Sequence, residues 1–485
     1  MPPERAALLV AACGMAAAAL LVLDVAGWST GEPSGSQIYN HYALALMDGR
    51  FDVPIRAIGG EGHYDPSGRA FVYYGLAPLV PRFLAVPFLD IRTAALPAFT
   101  IWLGAAVGSA AYQWAFLRLL RRSAGPAGAP MLAVVLVSVL AWFVSPGLLL
   151  AANTAVYHEP IAVAYAASGL FFALMVWAAH LGAAPAAILL PAALLAALSL
   201  FARPHVAVGL YAGVAILALV DLRTHGRIAV GRAVGAGLVL AAAGGALLLF
   251  NQARFSDPFL MHGSFEPGPL QYGTVFWSFE DAASSRARVF TEQGRFHPLR
   301  IPANLFMHLI MSPSAVVERV YAALSAPVGA GRLEGPFAGV VRLWLPWLAI
   351  AVVGFATRMR PAGAWAAGAW TAAVASAAIP VLILLSYPTV TLRYRLEIFP
   401  LLAVVAAMGL TGLAARTGAS WRGATGGLAV GLVLFGTVGT AVTARHYATY
   451  FTDIPEFVTW SRPFCETMVR AKGLPNADLD QLCRL

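Results

Sequence analysis

Long apolar runs separated by short polar connections recur along the chain. Each approaches the roughly 20 residues that a helix needs to cross a bilayer. The runs lie near 6–27, 96–118, 131–151, 160–180, 185–202, 204–220, 233–252, 338–357, 364–386, 398–415 and 424–443, and predict about eleven transmembrane helices, with Pro204 dividing one adjacent pair. The expected class is an all-α polytopic membrane protein. Three connections break the rhythm and hold nearly all the polar positions: 28–95, 253–337 and 444–485. Connections of that length, where the others are short, usually carry function. The predicted organisation is a transmembrane domain over 1–443, with 28–95 and 253–337 as its large loops, followed by a short tail over 444–485.

Inside the first large loop, residues 36–49 (SQIYNHYALALMDG) place Ile38, Tyr42, Ala45, Leu46 and Gly49 on one side. This pattern predicts an amphipathic helix lying on the membrane surface, with Ser36 as N-cap. Residues 61–69 (EGHYDPSGR) read as a polar turn, and Pro78, Pro81 and Pro87 forbid a regular span through 70–89. A broken, partly embedded segment is expected there, as tolerated where backbone lines a cavity or is buried in protein. In the second loop, 299–313 predicts a short surface helix ending at Pro313.

Composition agrees with the pattern. The chain has 485 residues, of which 59% are hydrophobic and only 11% charged, with mean hydropathy +0.73. Soluble domains carry about 25% charged residues, so a water-soluble globule is excluded. The net charge of +9 does not point to nucleic acid: Lys472 is the only lysine, and the arginines sit between apolar runs without a basic, aromatic-laced patch. Arg118, Arg121 and Arg122, then Arg223, Arg227 and Arg232, then Arg358 and Arg360, then Arg416 and Arg422 fall on one side together with Arg5. The positive-inside rule assigns that side to the cytoplasm. Of the 23 acidic residues, only Glu4 and Asp221 fall there. The expected location is the cytoplasmic (inner) membrane, with a cytoplasmic N-terminus and an outer C-terminus. The 6–27 run exceeds a signal-peptide core, so an uncleaved first helix is expected. Cys13 lies in that run, whereas Cys465 and Cys483 lie in the outer tail, where oxidation is permitted. A disulfide between them is a hypothesis, with two free thiols as the alternative.

Several motifs share the outer side in a defined order: DPSGRAFVYYGLAPLVPRFLAVP at 65–87, YHEP at 157–160, FARPH at 201–205, FNQARFSDPFLMHG at 250–263 and LRYRLEIFP at 392–400. Together with the layout of a first helix leading into a large outer loop, they resemble the GT-C superfamily of membrane glycosyltransferases, in particular a group of uncharacterised bacterial members, over roughly residues 1–415. The resemblance implies a GT-C-like fold with membrane-parallel helices in the first outer loop. It implies sugar transfer from a polyprenyl-phosphate donor by an inverting, single-displacement step, and an acidic residue of the first loop as catalytic base or activator. Many members carry Asp or an Asp-Glu pair just before the first surface helix. Here that stretch reads GEPSGSQ, with only Glu32, which leaves Asp65, Glu61, Glu32 and Asp24 as candidates.

Such a transfer needs a carboxylate to accept the acceptor's proton, cations or a metal to stabilise the departing phosphate, and a groove for the prenyl chain. Asp65 is the first choice for the carboxylate and Glu61 the second; for both, a turn-forming role is the plain alternative. His158 and Glu159 open a span on the outer side, where a carboxylate serves equally as a helix-start residue or a substrate ligand. Arg203 and His205 flank Pro204 at the junction of two spans, and Arg393, Tyr394, Arg395 and Glu397 sit at the mouth of another. With Arg254 they are candidates for phosphate binding, because the Arg fork suits phosphate and outer-face arginines run against the topology rule. Headgroup anchoring, or for Arg393 and Arg395 a pair with Glu397, is the alternative. His41, His63 and His158 read as hydrogen-bonding residues, and no cluster has diagnostic metal spacing, so use of a divalent cation stays open. Phe265, Tyr272, Phe276, Trp277 and Phe279 suit sugar stacking or interfacial anchoring. The expected partners are membrane lipids, a polyprenyl-phosphate-linked sugar and a glycan, lipid or protein acceptor, with no nucleic acid. The competing classes are a transporter or flippase of a lipid-linked or small polar substrate, which should show mid-membrane charge and an inverted repeat, and a polysaccharide polymerase or ligase.

Overall fold

The structure, a computed structural model, describes residues 1–29, 36–73, 75–125, 128–356, 363–417, 424–452, 459–474 and 479–484. Glu32, Arg358, Arg360 and Arg422 lie outside the described residues. In chain order, α1 (Pro3–Val22) precedes three short helices of the first loop, α2 (Ile38–Met47), α3 (Ile55–Ile58) and α4 (Leu79–Ala85). Then come α5 (Leu96–Ala124), α6 (Met131–Phe143), α7 (Pro146–Ala151), α8 (His158–His180), α9 (Pro185–Leu200), α10 (Pro204–His225) and α11 (Arg227–Phe255). The second loop holds α12 (Gly273–Phe276), α13 (Ser285–Gln293), α14 (Ile301–Ile310) and α15 (Ala315–Ser325). The long helices resume with α16 (Val340–Ala356), α17 (Ala364–Ser386), α18 (Leu392–Thr417) and α19 (Ala424–Ala448), and the tail adds α20 (Arg462–Ala471) and α21 (Leu479–Leu482).

A helix occupies every predicted span, and the chain is an all-α polytopic fold. Among the described residues, seven helical stretches are long and apolar enough to cross a membrane: Pro3–Val22, Met131–Ala151, His158–His180, Pro204–His225, Arg227–Phe255, Ala364–Ser386 and Gly426–Ala448. α9 and α16 are apolar but shorter. α5 and α18 have the length, 29 and 26 residues; α5 carries charge in its last turns, and α18 carries it at both ends. The apolar surface of α11 is left exposed at Ile228, Val234, Leu238 and Leu249, a pattern that suits lipid rather than water.

Apolar burial does not drive helices together in lipid, so close packing must. Gly104 and Gly108 of α5 face α8; a Cβ at Gly104 would meet the Ala162 backbone at 2.7 Å, and one at Gly108 would meet the Tyr165 ring at 2.4 Å. Small residues one turn apart thus let the two helices touch. The predicted 131–151 span is broken: α6 ends before Val144, and Pro146 opens α7, with Ser145 Oγ accepting from the Gly147 N–H at 3.4 Å. Trp347 Nε1 donates to the Val144 carbonyl freed there, at 2.7 Å. Arg121 meets Glu4 at 3.3 Å, and Arg122 bonds the carbonyl of His180. The start of α1 and the ends of α5 and α8 therefore share one end of the bundle, as the alternation of spans requires.

The large loops fold onto the other end. β1 (His63–Tyr64) pairs antiparallel with β2 (Ala70–Phe71) and with β3 (Gln271–Tyr272). β4 (Arg332–Leu333) pairs parallel with β5 (Thr389–Val390). Two-residue strands thus clip the second loop to the first, and to the α17–α18 junction. The 36–49 expectation changes in detail: α2 is a helix, but Tyr39, Asn40 and Tyr42 are fully buried, and Gln37 rather than Ser36 sits at its cap with no side-chain bond. Contacts from the first loop explain the burial, since Asn40 both donates to the Ala94 carbonyl at 3.1 Å and accepts from Arg82 at 2.9 Å. The 70–89 stretch is broken as expected, and α4 exposes Val80, Phe83 and Leu84.

Candidate active site

One cavity of about 600 Å³ opens among the loops and the helix mouths at this end. Its walls come from the 60–62 turn, Tyr73, Tyr157 before α8, the α9–α10 junction, the end of α11, the second loop, and the α17–α18 junction. Six arginines line it (Arg203, Arg254, Arg286, Arg295, Arg332 and Arg393) against two carboxylates, Glu61 and Glu334. One side is apolar, with Leu200, Phe201, Leu247, Phe250, Ile383 and Leu384.

Local sequence explains these placements. The residue before a proline is pushed to extended backbone. Arg203, before Pro204, has φ −142° and ψ 95°, which ends α9 and starts α10 around it. Gly75 allows the first loop to lie on this junction: a Cβ there would stand 2.2 Å from the Ala202 carbonyl oxygen. The guanidinium of Arg203 is held by Glu397 through bonds of 2.6 and 2.8 Å, and His205 Nε2 stands 3.3 Å from the same carboxylate. Arg254 donates to the Tyr42 hydroxyl at 3.3 Å, the Val72 carbonyl at 2.9 Å and Asn251 Oδ1 at 3.2 Å, and its guanidinium lies 4.1 Å from the Phe255 ring centre.

The β4–β5 ladder brings Glu334 to Arg393 at 3.1 Å and leaves it 3.2 Å from Arg332. Burial pushes the Glu334 carboxyl up, but Arg393, Arg332 and Arg286 more than offset this and hold it below the ordinary glutamate value. Arg393 also lies over the Tyr157 ring at 3.8 Å. Burial, then the Glu61 carboxylate, push the Tyr157 phenol well above its ordinary value, so it stays protonated and serves as a hydrogen-bond donor to Glu61. Tyr73 donates to Glu61 Oε2 at 3.4 Å, and its ring stacks on His63 at 3.9 Å. Burial and the neighbouring positive groups keep His63 neutral, with its pKa well below the ordinary value.

The cavity therefore gathers Glu61, Arg203, His205, Arg254, Arg393 and Tyr394 from the residues that the sequence singles out. It does not gather Asp65, His158, Glu159, Arg395 or Glu397. Asp65 closes the β1–β2 hairpin: Oδ1 accepts from the Ser67 N–H at 2.9 Å, the Ser67 hydroxyl at 2.6 Å and the Arg69 N–H at 3.0 Å, while Oδ2 pairs with Arg69 at 2.7 Å. Glu159 forms a fully buried pair with Arg82. His158 joins α8 to α19 through the Tyr447 hydroxyl at 2.6 Å. Arg395 is fully buried against Met311, and Glu397 touches the cavity only through Arg203 and His205. Asp24 caps its own turn, accepting from the Trp28 N–H at 2.7 Å. Of the second-loop aromatics, Tyr272 lines the cavity; Phe276 and Trp277 are buried against Tyr64, and Phe265 packs on Phe290. Arg286, Arg295, Arg332, Glu334 and Tyr157 were not singled out from the sequence. The only signal available for the three arginines was the one used for Arg393, a guanidinium on the outer side. Among the described residues, no group of three or more histidines, cysteines or acids is placed to hold a metal ion.

No family model matches the chain, and no curated protein matches it. A search of solved structures finds the oligosaccharyltransferase of Archaeoglobus fulgidus in its apo form, with TM-score 0.48 and 13% identity, over 92% of this chain and 56% of that one. The chain thus spans little more than half the length of the protein it matches.

Proposed function

We propose that this chain is a membrane glycosyltransferase that moves a sugar from a polyprenyl-phosphate donor to a glycan, lipid or protein acceptor at the outer face of the cytoplasmic membrane. The observation that carries this reading is the cavity itself: Glu61 and the arginine-paired Glu334 share a chamber with six guanidiniums and an apolar wall. The wall from α9, α11 and α17 suits a prenyl chain. Arg203, Arg254 and Arg393 suit its phosphate, since the guanidinium fork matches phosphate oxygens. Glu61, oriented by Tyr73 and Tyr157, is the base. It accepts the proton of the acceptor hydroxyl as that oxygen bonds to the anomeric carbon. The bond from that carbon to the phosphate oxygen breaks with its electron pair, and polyprenyl phosphate departs as an anion among the arginines. Guanidiniums fixed before the reaction stabilise this developing charge without reorganising. The arginine-rich turns at the opposite end of the bundle, and the bridge between Cys465 and Cys483 in the tail, support an outer location for the cavity.

The test is reconstitution of the full chain in vesicles with labelled polyprenyl-phosphate sugars. Transfer by the natural protein, lowered about 10²- to 10⁴-fold in Glu61→Gln, is the expected result. Undiminished transfer in Glu61→Gln removes Glu61 from the mechanism. Failure of every donor, with passage of a lipid-linked substrate across the vesicle instead, overturns the enzyme reading.

A further inference from the structure

Four of the six cavity guanidiniums are answered by carboxylates: Arg203 by Glu397, Arg286 by Glu280, and Arg332 and Arg393 by Glu334. Arg254 and Arg295 have no carboxylate within ion-pair distance among the described residues. They come from separate elements. Arg254 stands in the last turn of α11, beside the apolar wall, and Arg295 stands in the second loop just after α13. A guanidinium has five N–H donors. Arg254 uses both hydrogens of Nη1 and one of Nη2, while its Nε has no hydrogen-bond partner among the described residues. Arg295 donates from Nη2 to the Tyr272 hydroxyl at 3.0 Å. His262, in the same lining, does not compensate them. Burial first, then Arg295, Arg254 and Arg203, hold its pKa down at about 3, so the imidazole is neutral where the fields of these guanidiniums converge.

An unanswered charge in a partly desolvated site is costly until a ligand pairs with it. The two guanidiniums engage different neighbours, Arg254 with Tyr42, Val72 and Asn251 and Arg295 with Tyr272, so each offers its own unused donors to an anion. We infer that the cavity binds two anionic groups at once: the donor phosphate at Arg254, and a second carboxylate or phosphate at Arg295, carried by the transferred sugar or by the acceptor. This inference rests on the transferase reading for the first anion only. The second is argued from the charge inventory.

The experiment is titration calorimetry on the full chain in detergent, with farnesyl phosphate and sodium glucuronate as probes. Each is titrated alone and against a saturating amount of the other. Independent binding of both is expected. Arg254→Gln should weaken farnesyl phosphate by about tenfold or more and spare glucuronate; Arg295→Gln should do the reverse, and Arg295→Lys should recover part of the loss. Retained farnesyl phosphate binding in Arg295→Gln shows that the variant is folded. Competition between the probes, or glucuronate binding unchanged in Arg295→Gln, overturns the second site. Farnesyl phosphate binding that ignores Arg254 overturns the donor-phosphate reading instead. Farnesyl phosphoglucuronate and farnesyl phosphoglucose then separate the sources. A donor-borne anion makes the glucuronate conjugate bind at least about tenfold tighter, an advantage lost in Arg295→Gln. An acceptor-borne anion makes the two conjugates equal, with free glucuronate still binding beside farnesyl phosphoglucose. Absence of both the advantage and the co-binding overturns the inference.

Discussion

Two guanidinium sites at the same end of this bundle, Arg82 with Glu159 and the arginines of the cavity, use the same chemical groups to opposite ends. Arg82 is fully buried and engages all its nitrogens: Nε with Asn40 at 2.9 Å, Nη1 with the Pro78 carbonyl at 2.9 Å, Thr100 at 3.0 Å and Glu159, and Nη2 with Glu159 at 2.8 Å. It thereby ties α2, the start of α4, α5 and α8 into one unit. Arg254 and Arg295 are only half-buried, and both leave donors unused. Saturation and access, not residue type, separate a clamp from a binding group. Glu159, attractive as a ligand from its place at a helix mouth, is on this criterion part of the clamp.

The sharpest way to break the contrast is to exchange what each site loses. Glu61→Gln should cost about 10²- to 10⁴-fold in transfer while leaving the unfolding transition in detergent where it was. Glu159→Ala should do the converse, lowering stability by about 3–5 kcal/mol because Arg82 is left as an uncompensated buried charge. Equal stability of that variant with lost farnesyl phosphate binding would move Glu159 into the binding site. Glu334 stands between the two cases, buried yet lining the cavity. Its carboxyl is held below the ordinary glutamate value of 4.5, so its contribution is present above that value and lost as the pH falls through the folded-state value. Denaturation of Glu334→Gln against the natural chain should show a gap of about 1.5–3 kcal/mol near pH 7 that closes below pH 4.5; a gap independent of pH would contradict the ion pair. The smallest effect belongs to Asp65→Asn. A hairpin-closing carboxylate paired with an exposed arginine is worth about 1 kcal/mol or less, and transfer measured in vesicles should be unchanged.

The helices were legible because lipid sets both the length and the polarity of a span, and each predicted run became helical, with 131–151 divided into α6 and α7. The helix-mouth groups Arg203, Arg254 and Arg393 were legible for a related reason, since each is a charge where topology disfavours one. Glu61 and Asp65 were both marked, and of the two only Glu61 lines the cavity. The DPSGR stretch carries strong turn chemistry that the hairpin consumes, whereas nothing near Glu61 announces the Tyr157 that orients it. Glu334 and Arg332 were hidden because strands of two residues leave no alternation to read, and the ladder to Thr389 is wholly non-local. The burial of α2 was hidden likewise, because its polar Asn40 is spent on an arginine from another helix.

The tail reaches back over both loops. The backbone of Trp460 exchanges hydrogen bonds with Arg56, its N–H donating to the Arg56 carbonyl at 3.0 Å and its carbonyl accepting from Arg56 Nε at 3.1 Å. Its ring meets Trp277 edge-on at 5.3 Å, and Lys472 sits over Phe276 at 4.6 Å. These contacts are made by residues synthesised after everything they cover. A growing chain can therefore complete these contacts only after α19 has been made, so a truncation short of Trp460 would leave Arg56, Trp277 and Phe276 without the segment that ties the two loops together.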